Sequence, residues 1–462
     1  MSDIKYQLAQ FAFYDRSGMA RHLEKMAAKG WILESAGNTL MKYRRMEPRQ
    51  LHFSVTYYAD ASQFDPGPTE GQQMLAEFCS RDGWQFVCSW GQMQIFCNEH
   101  PDPVPIETDP VTQVENIHRS MKKNRMATNV LGIALFAWML FLMVHQFQDD
   151  PVRFLSEPLL LGQVPIWTLL LITILWGMIE YAVWHRRAVR DAENGMFREL
   201  KSNRWVQWTL AALSMVCVAA AVLTTQTGRK AVLMTMLLIA LISASGRLCT
   251  HLLKKKGVSR GFNRTMSILV VVVVDLVMVG GMGFALVHWD LLDERTPVAL
   301  YDDNGWQRQV YQDAIPLTVG DLYGDFDLRW SSEQAEVSST FLLSTASYRQ
   351  WAQTQDRTVP GLSYRITEAK LPALQEFMHD TLIDSYRDKH SRAQNISVFL
   401  RQDLVQVDAA PWGADEAWQR VRGGEPTDQY LLCYGSCSVQ LELDEPATEA
   451  QKATVGSVFS GE

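Results

Sequence analysis

Five apolar runs lie between Asn129 and His288, and each is long enough to cross a bilayer: Val130 to Phe147, Val164 to Trp184, Val206 to Thr224, Ala231 to Leu253 and Met266 to His288. A helix rises about 1.5 Å per residue, so roughly 17–25 apolar residues match the hydrocarbon core. Lipid offers the backbone no hydrogen-bond partner. Each run is therefore expected as a helix, including the β-branched stretch Val270 to Val274. Charged residues gather between the runs, as they do in membrane proteins and not in the core helices of a large soluble protein. The chain divides accordingly into a soluble domain (1–101), a linker and basic approach (102–128), a five-helix transmembrane block (129–288) and a second soluble domain (289–462).

Orientation follows from Lys and Arg. Arg119, Lys122, Lys123 and Arg125 precede the first run, six bases from Arg186 to Arg204 separate the second and third, and Lys254, Lys255, Lys256, Arg260 and Arg264 separate the fourth and fifth. The alternate loops are poorer, with Arg153 in one and Arg229 and Lys230 in the other. Positive charge stays on the cytosolic side, which predicts a plasma-membrane, multi-pass protein with a cytoplasmic N-terminus and, after five crossings, an extracytoplasmic C-terminal domain. The overall charge of −8 hides an asymmetry: from Trp289 onward there are 28 Asp and Glu against 14 Lys and Arg, and before it 23 against 29. An acidic external part argues against nucleic acid as a partner. Met1 to Lys25 is charged throughout, so the first run is expected to serve as an uncleaved anchor.

The N-terminal domain carries a weak internal duplication. Met26-Ala27-Ala28-Lys29-Gly30-Trp31 ends one predicted helix and enters a strand, and Phe78-Cys79-Ser80-Arg81-Asp82-Gly83-Trp84 does the same later. Glycine suits the position just past a helix end, where the backbone turns left-handed. The helices show apolar stripes, Met19, Leu23 and Met26 in one and Met74, Leu75, Phe78 and Cys79 in the other. In the second strand Trp84, Phe86 and Cys88 are expected to share a face. Gly37 and Gly91 mark turns into further strands. Two βαββ units forming one α+β domain with a single sheet are predicted. Trp31 and Trp84 are expected to pack that sheet against its helices, and Cys79, Cys88 and Cys97 to be apolar filling.

Leu23, Met26, Ala27, Gly30, Trp31, Tyr57, Gly83, Trp84 and Val87 together resemble the pattern of a bacterial family catalogued as domain of unknown function 2812. The resemblance covers roughly the first hundred residues. Members are often membrane-anchored, and several are encoded beside PadR-type transcription regulators. The resemblance implies no activity; it implies a membrane regulatory or stress-response role.

Within the membrane block Asp275 stands about nine residues into the last run, hence roughly 13 Å deep. An ionised carboxylate there needs a partner or a proton. Arg247, Ser243 and Ser245 are the expected partners, and Glu180 either pairs with Arg247 or reaches the interface. Asp275 is then either part of a proton- or ion-linked element or a hydrogen bond that fixes the bundle. Gly281 and Ala285 have small-xxx-small spacing, which suits packing within the bundle or a homo-oligomer contact.

The C-terminal domain is expected to be α+β. Predicted strands are Ser338 to Thr345, Leu362 to Thr367, Ile396 to Leu400 and Leu404 to Val407, with a helix over Pro372 to Tyr386, a hairpin over Tyr430 to Leu443 and a final helix capped by Thr448 and Gln451. Cys433 and Cys437 flank Tyr434-Gly435-Ser436 and are either a cross-strand disulfide or free. Asp321, Asp325 and Asp327 lack the closing Glu of a calcium loop, and no metal site or cofactor is expected. GxxxxGK[ST] and HExxH are both missing from the sequence. The expectation is a non-enzymatic membrane sensor or regulator, embedded in the lipid bilayer and joined to a cytosolic regulatory protein. The alternative is a transporter or permease subunit using Asp275.

Overall fold

The structure, a computed structural model, describes residues 3–8, 11–37, 40–200, 204–224, 226–288, 297–303, 306–324, 326–354, 360–391 and 402–460. It divides into two compact units. The first comprises Met1–Met139, Trp167–Val216 and Lys230–Leu292, the second Leu140–Ile166, Cys217–Arg229 and Asp293–Glu462.

The first unit opens with β1 (Ile4–Leu8), α1 (Arg16–Ala28), β2 (Trp31–Ala36) and β3 (Leu40–Arg45). There follow β4 (His52–Tyr57), α2 (Glu70–Arg81), β5 (Gln85–Trp90) and β6 (Met93–Asn98). The expected single sheet is in fact two three-stranded antiparallel sheets, ordered β1-β3-β2 and β4-β6-β5. Alternation shows that a segment is a strand but not which strand it pairs with, and here each set of three pairs only within itself. Asp15 caps α1 by accepting from the Gly18 N–H at 3.0 Å, and Thr69 and Gln72 form a capping box on α2. Met19, Leu23, Met26 and Ala27 of α1 are buried against Leu33, Met41 and Tyr43 of the first sheet and Phe53, Val55 and Ile95 of the second.

Helix α2 departs from its predicted stripe. Cys79 is buried with Trp84 and Phe96, but Met74 and Phe78 are 65% and 61% exposed. The β5 face departs too, because a bulge between Phe86 and Cys88 breaks the alternation. Phe86 remains beside Phe96, whereas Cys88 turns into the larger core.

Gly30 and Gly83, the residues after the two helices, have φ of +80° and +81°. A Cβ on Gly30 would also stand 2.8 Å from the Met46 carbonyl oxygen, whose residue N–H bonds back to Gly30 O. Gly30→Ala is therefore expected to destabilise the protein by about 1–3 kcal/mol, checked by thermal melting of the solubilised full chain. A melting temperature equal to that of wild type would contradict it.

Next come α3 (Pro110–Met121), a π-helical turn at Lys122–Met126, and α4 (Ala127–Asp149). Then follow α5 (Pro151–Ser156), α6 (Pro158–Glu193), α7 (Arg204–Thr224), α8 (Gln226–Lys255) and α9 (Arg260–His288). Among the described residues four helices are long and apolar enough to cross a membrane: α4, α6, the Leu233–Lys255 part of α8 and the Arg260–Met278 part of α9. Five were expected. The apolar stretch of α7, Trp205–Ala220, covers only about 24 Å at 1.5 Å per residue. Leu131, Trp138, Leu237 and Leu276 on these helices are exposed, as suits side chains whose solvent is lipid.

The second unit contains the hairpin β7 (Ala299–Asp303) and β8 (Trp306–Val310), then α10 (Val319–Tyr323), β9 (Leu328–Ser339), β10 (Leu343–Thr354) and β11 (Leu362–Ala369). α11 (Gln375–Ser391) is followed by β12 (Gln402–Val407), β13 (Glu416–Arg422), β14 (Glu425–Tyr434), β15 (Cys437–Glu442) and α12 (Glu449–Phe459). Strands β9 to β15 form one antiparallel sheet ordered β12-β13-β14-β15-β11-β10-β9. One buried cluster contains Trp412, Tyr364, Leu441 and Val455; another contains Met378, Leu382, Leu343 and Leu431. The predicted strand Ser338 to Thr345 straddles the turn between β9 and β10, since Thr340 to Leu342 reverse the chain. Predicted strand Ile396 to Leu400 and Asp325 lie outside the described residues.

Candidate functional site

The intramembrane acid behaves unlike the expectation. Asp275 is exposed on α9, and it makes no hydrogen bond or ion pair with a described residue. Its expected partners are engaged elsewhere or turned away: Ser245 Oγ donates to Ile242 O at 2.8 Å within its own helix, and Arg247 lines a groove between α8 and α9. Glu180 accepts from Gln207 Nε2 at 3.3 Å, and Arg247 forms no ion pair among the described residues. Sequence depth locates a residue along a helix but says little about its azimuth when the helix is apolar all round.

Cys433 and Cys437 are free. The turn between β14 and β15 is two residues long, Gly435-Ser436, so Cys437 pairs with Tyr434 and Cys433 with Ser438. The expected three-residue turn would have set the two cysteines face to face. Shortening it by one residue sends their side chains to opposite faces of the sheet, Cys433 beside Leu431 and Leu404, Cys437 beside the Trp412 cluster. Burial pushes both thiols up to about 11.

Trp84 is buried, and its indole N–H donates to Val104 O at 2.8 Å; Trp31 is half-buried beneath the Lys5 ammonium, 5.6 Å from the ring centroid. Both tryptophans pack next to the left-handed glycines Gly30 and Gly83.

The features that the sequence reading missed are two attachments between the N-terminal sheets and the helices, both within the first unit. Helix α6 runs nine residues past Trp184, and its last turns put Tyr181, Trp184, Ala188 and Ala192 into the same core as α1 and both sheets. The Tyr14 ring lies 5.0 Å from that of Tyr181 and 5.1 Å from that of Trp184. Burial, then the nearby Glu180 carboxylate, raises the Tyr14 hydroxyl far above its ordinary range. His118 Nδ1 is 2.9 Å from the Tyr181 hydroxyl, tying α3 to α6, and Trp184 Nε1 donates to Arg198 O at 3.2 Å. The second attachment is the loop after β4. Asn263 of α9, fully buried, donates to Phe64 O at 2.9 Å and accepts from Ser267 Oγ at 3.2 Å. Arg260 donates to Asp60 O at 2.9 Å, and Lys123 pairs with Asp60 at 2.6 Å.

In the second unit helix α5 is built into the sheet. Val152 is buried with Leu343, Met378 and Leu382, Thr340 Oγ1 donates to Leu155 O at 2.6 Å, and Ser338 Oγ donates to Ser156 O at 3.0 Å. Beside it lies a cavity of about 1350 Å³, walled by Arg153, Glu157, Pro158, Leu161 and Val164 on one side and by Glu336 to Phe341, Ser347 and Arg365 on the other. Two guanidinium groups, three carboxylates (Asp150, Glu157 and Glu336) and a row of hydroxyls beside apolar side chains suit a ligand with both polar and apolar parts. No group of three metal-ligating side chains occurs among the described residues.

No curated protein and no solved structure matches the chain. One family model does match, over α1 to the start of α4. Residues 17–129, with the paired glycine-tryptophan units and the attachment helix α3, match the model of the family described as protein of unknown function, DUF2812.

Proposed function

We propose that the protein is a non-enzymatic membrane sensor or regulator that couples an extracytoplasmic signal to a cytosolic partner. The observation that carries this is α6. Its first turn contributes Pro158, Leu159 and Leu161 to the large cavity, and its last turns belong to the core of the N-terminal domain. A ligand at the first turn would act on the same helix whose last turns pack against Tyr14, Tyr181 and Trp184. The basic loops support a cytosolic N-terminal domain of two βαββ units. The full 21-residue length of α7, about 31 Å at helical rise, supports reading it as a fifth span, which would put the acidic domain outside. The partner face is the exposed pair Met74 and Phe78, one turn apart on α2. A transporter would need Asp275 to line a path through the bundle. Its exposure on α9 favours the sensor.

The test is crosslinking in native membranes followed by identification of what the full chain holds. Wild type is expected to retain a cytosolic protein, and Met74→Asp with Phe78→Asp to lose it while still inserting. Equal recovery by both would defeat the proposal. So would labelling of a cysteine introduced at Glu425 only after the cells are opened.

A further inference from the structure

The groove between α8 and α9 has no part in the coupling described above. Its volume is about 630 Å³. Arg247, His251 and Lys254 line it from α8 at spacings of four and three residues, hence on one helical face. None of the three has a hydrogen bond or ion pair among the described residues. No acidic residue lines the groove. Asp60 and Asp65, in the loop after β4, are already engaged, by Lys123 at 2.6 Å and by Arg260 at 3.8 Å, and Asp275, one turn beyond Val271 and Val272 on α9, makes no ion pair with a described residue. The facing wall is apolar, formed by Phe64, Ile268, Val271 and Val272. Thr250 and Ser267 hydroxyls bond each other at 2.9 Å across the floor, leaving them little capacity for the cations.

We propose that this groove binds an anionic phospholipid, with the phosphate held by Lys254, His251 and Arg247 and an acyl chain lying along Ile268 and Val272. The inference rests on α8 and α9 being membrane spans. Arg247 and Lys254 are seven residues apart, about 10 Å along the axis, so the cationic ladder runs from the helix end into the apolar depth. An unpaired guanidinium at that depth is costly, and a lipid phosphate is the counterion the bilayer itself supplies. A free inorganic anion would satisfy the charges but leave the Phe64, Ile268 and Val272 wall without an occupant.

The full chain is reconstituted in phosphatidylcholine bilayers, and the motionally restricted fraction of spin-labelled phosphatidylglycerol is compared with that of spin-labelled phosphatidylcholine. Wild type is expected to prefer the anionic label. Each of Arg247→Gln, His251→Gln and Lys254→Gln is expected to reduce that preference, by about fivefold for each permanent cation removed. Arg247→Lys is expected to keep it, as is Lys255→Gln with Lys256→Gln, which lies outside the groove. Melting in phosphatidylcholine checks the fold of each variant. The proposal is overturned if the groove variants keep the preference. The same holds if the Lys255 and Lys256 pair abolishes it, or if soluble glycerol phosphate displaces the labelled lipid. No signal or partner enters this measurement, so its failure and the failure of the sensor proposal are separately visible.

Discussion

Trp184→Ala is expected to cost about 3–5 kcal/mol and to release the N-terminal domain from α6. The indole is buried to 5% exposure among Tyr14, Tyr181 and the α1 side of the core, and its N–H is the donor to Arg198 O. Truncation leaves a cavity bordered by two elements, the extended end of α6 and the sheets, which lack a covalent tie at that point. The effect is read as a lower melting temperature of the solubilised chain and faster proteolysis after Arg186 and Arg187. Trp184→Phe keeps most of the ring and loses only the hydrogen bond, about 1 kcal/mol. Melting and cleavage like those of wild type in the alanine variant would mean that α6 is not part of this core.

The glycine-tryptophan units were legible because their signals are local. A helix that must stop needs a left-handed residue, and Gly30 and Gly83 supply it. What was lost was non-local. The division into two sheets depends on β3 and β6 each pairing with the strands of its own set, which alternation does not encode. Strands β9 and β10 stand where the single strand Ser338 to Thr345 was expected, because the few apolar residues of Leu328 to Ser339 are split between the two faces and reveal no alternation. The cysteine pair was misplaced by a single residue of turn length. The α6 attachment was hidden by the hydropathy boundary at Trp184, past which the helix goes on with Arg186, Arg187 and Arg190 on its wet side and Ala188 and Ala192 on its dry one. His251 and Lys254 were read as loop charge or passed over, and their alignment with Arg247 becomes visible only when the groove they share is seen.

Trp412→Ala is the second large effect, again about 3–5 kcal/mol. The side chain is fully buried, 4.8 Å ring to ring from Tyr430, and its carbonyl accepts from the Tyr434 hydroxyl at 3.0 Å. Helix α12 passes so close that a Cβ on Gly456 would stand 2.6 Å from that same carbonyl oxygen. Gly456→Ala must therefore push α12 off the sheet, at about 1–3 kcal/mol, because the Tyr434 hydrogen bond and the left-handed Gly413 hold the Trp412 backbone in place. One substitution empties the contact and the other overfills it, yet both are expected to lower the same unfolding transition, followed by tryptophan fluorescence. A Gly456→Ala protein melting like wild type would show that α12 gives way freely.

The two-residue reversal at Gly435-Ser436 has a consequence for how this domain is held together. With Cys433 and Cys437 pointing away from each other through the sheet, neither sulfur can reach its neighbour unless β15 is peeled from β14. The seven strands consequently owe nothing to an oxidant. Reductant removes no brace from them, and their cohesion is the same in a thiol-rich compartment as in an oxidising one.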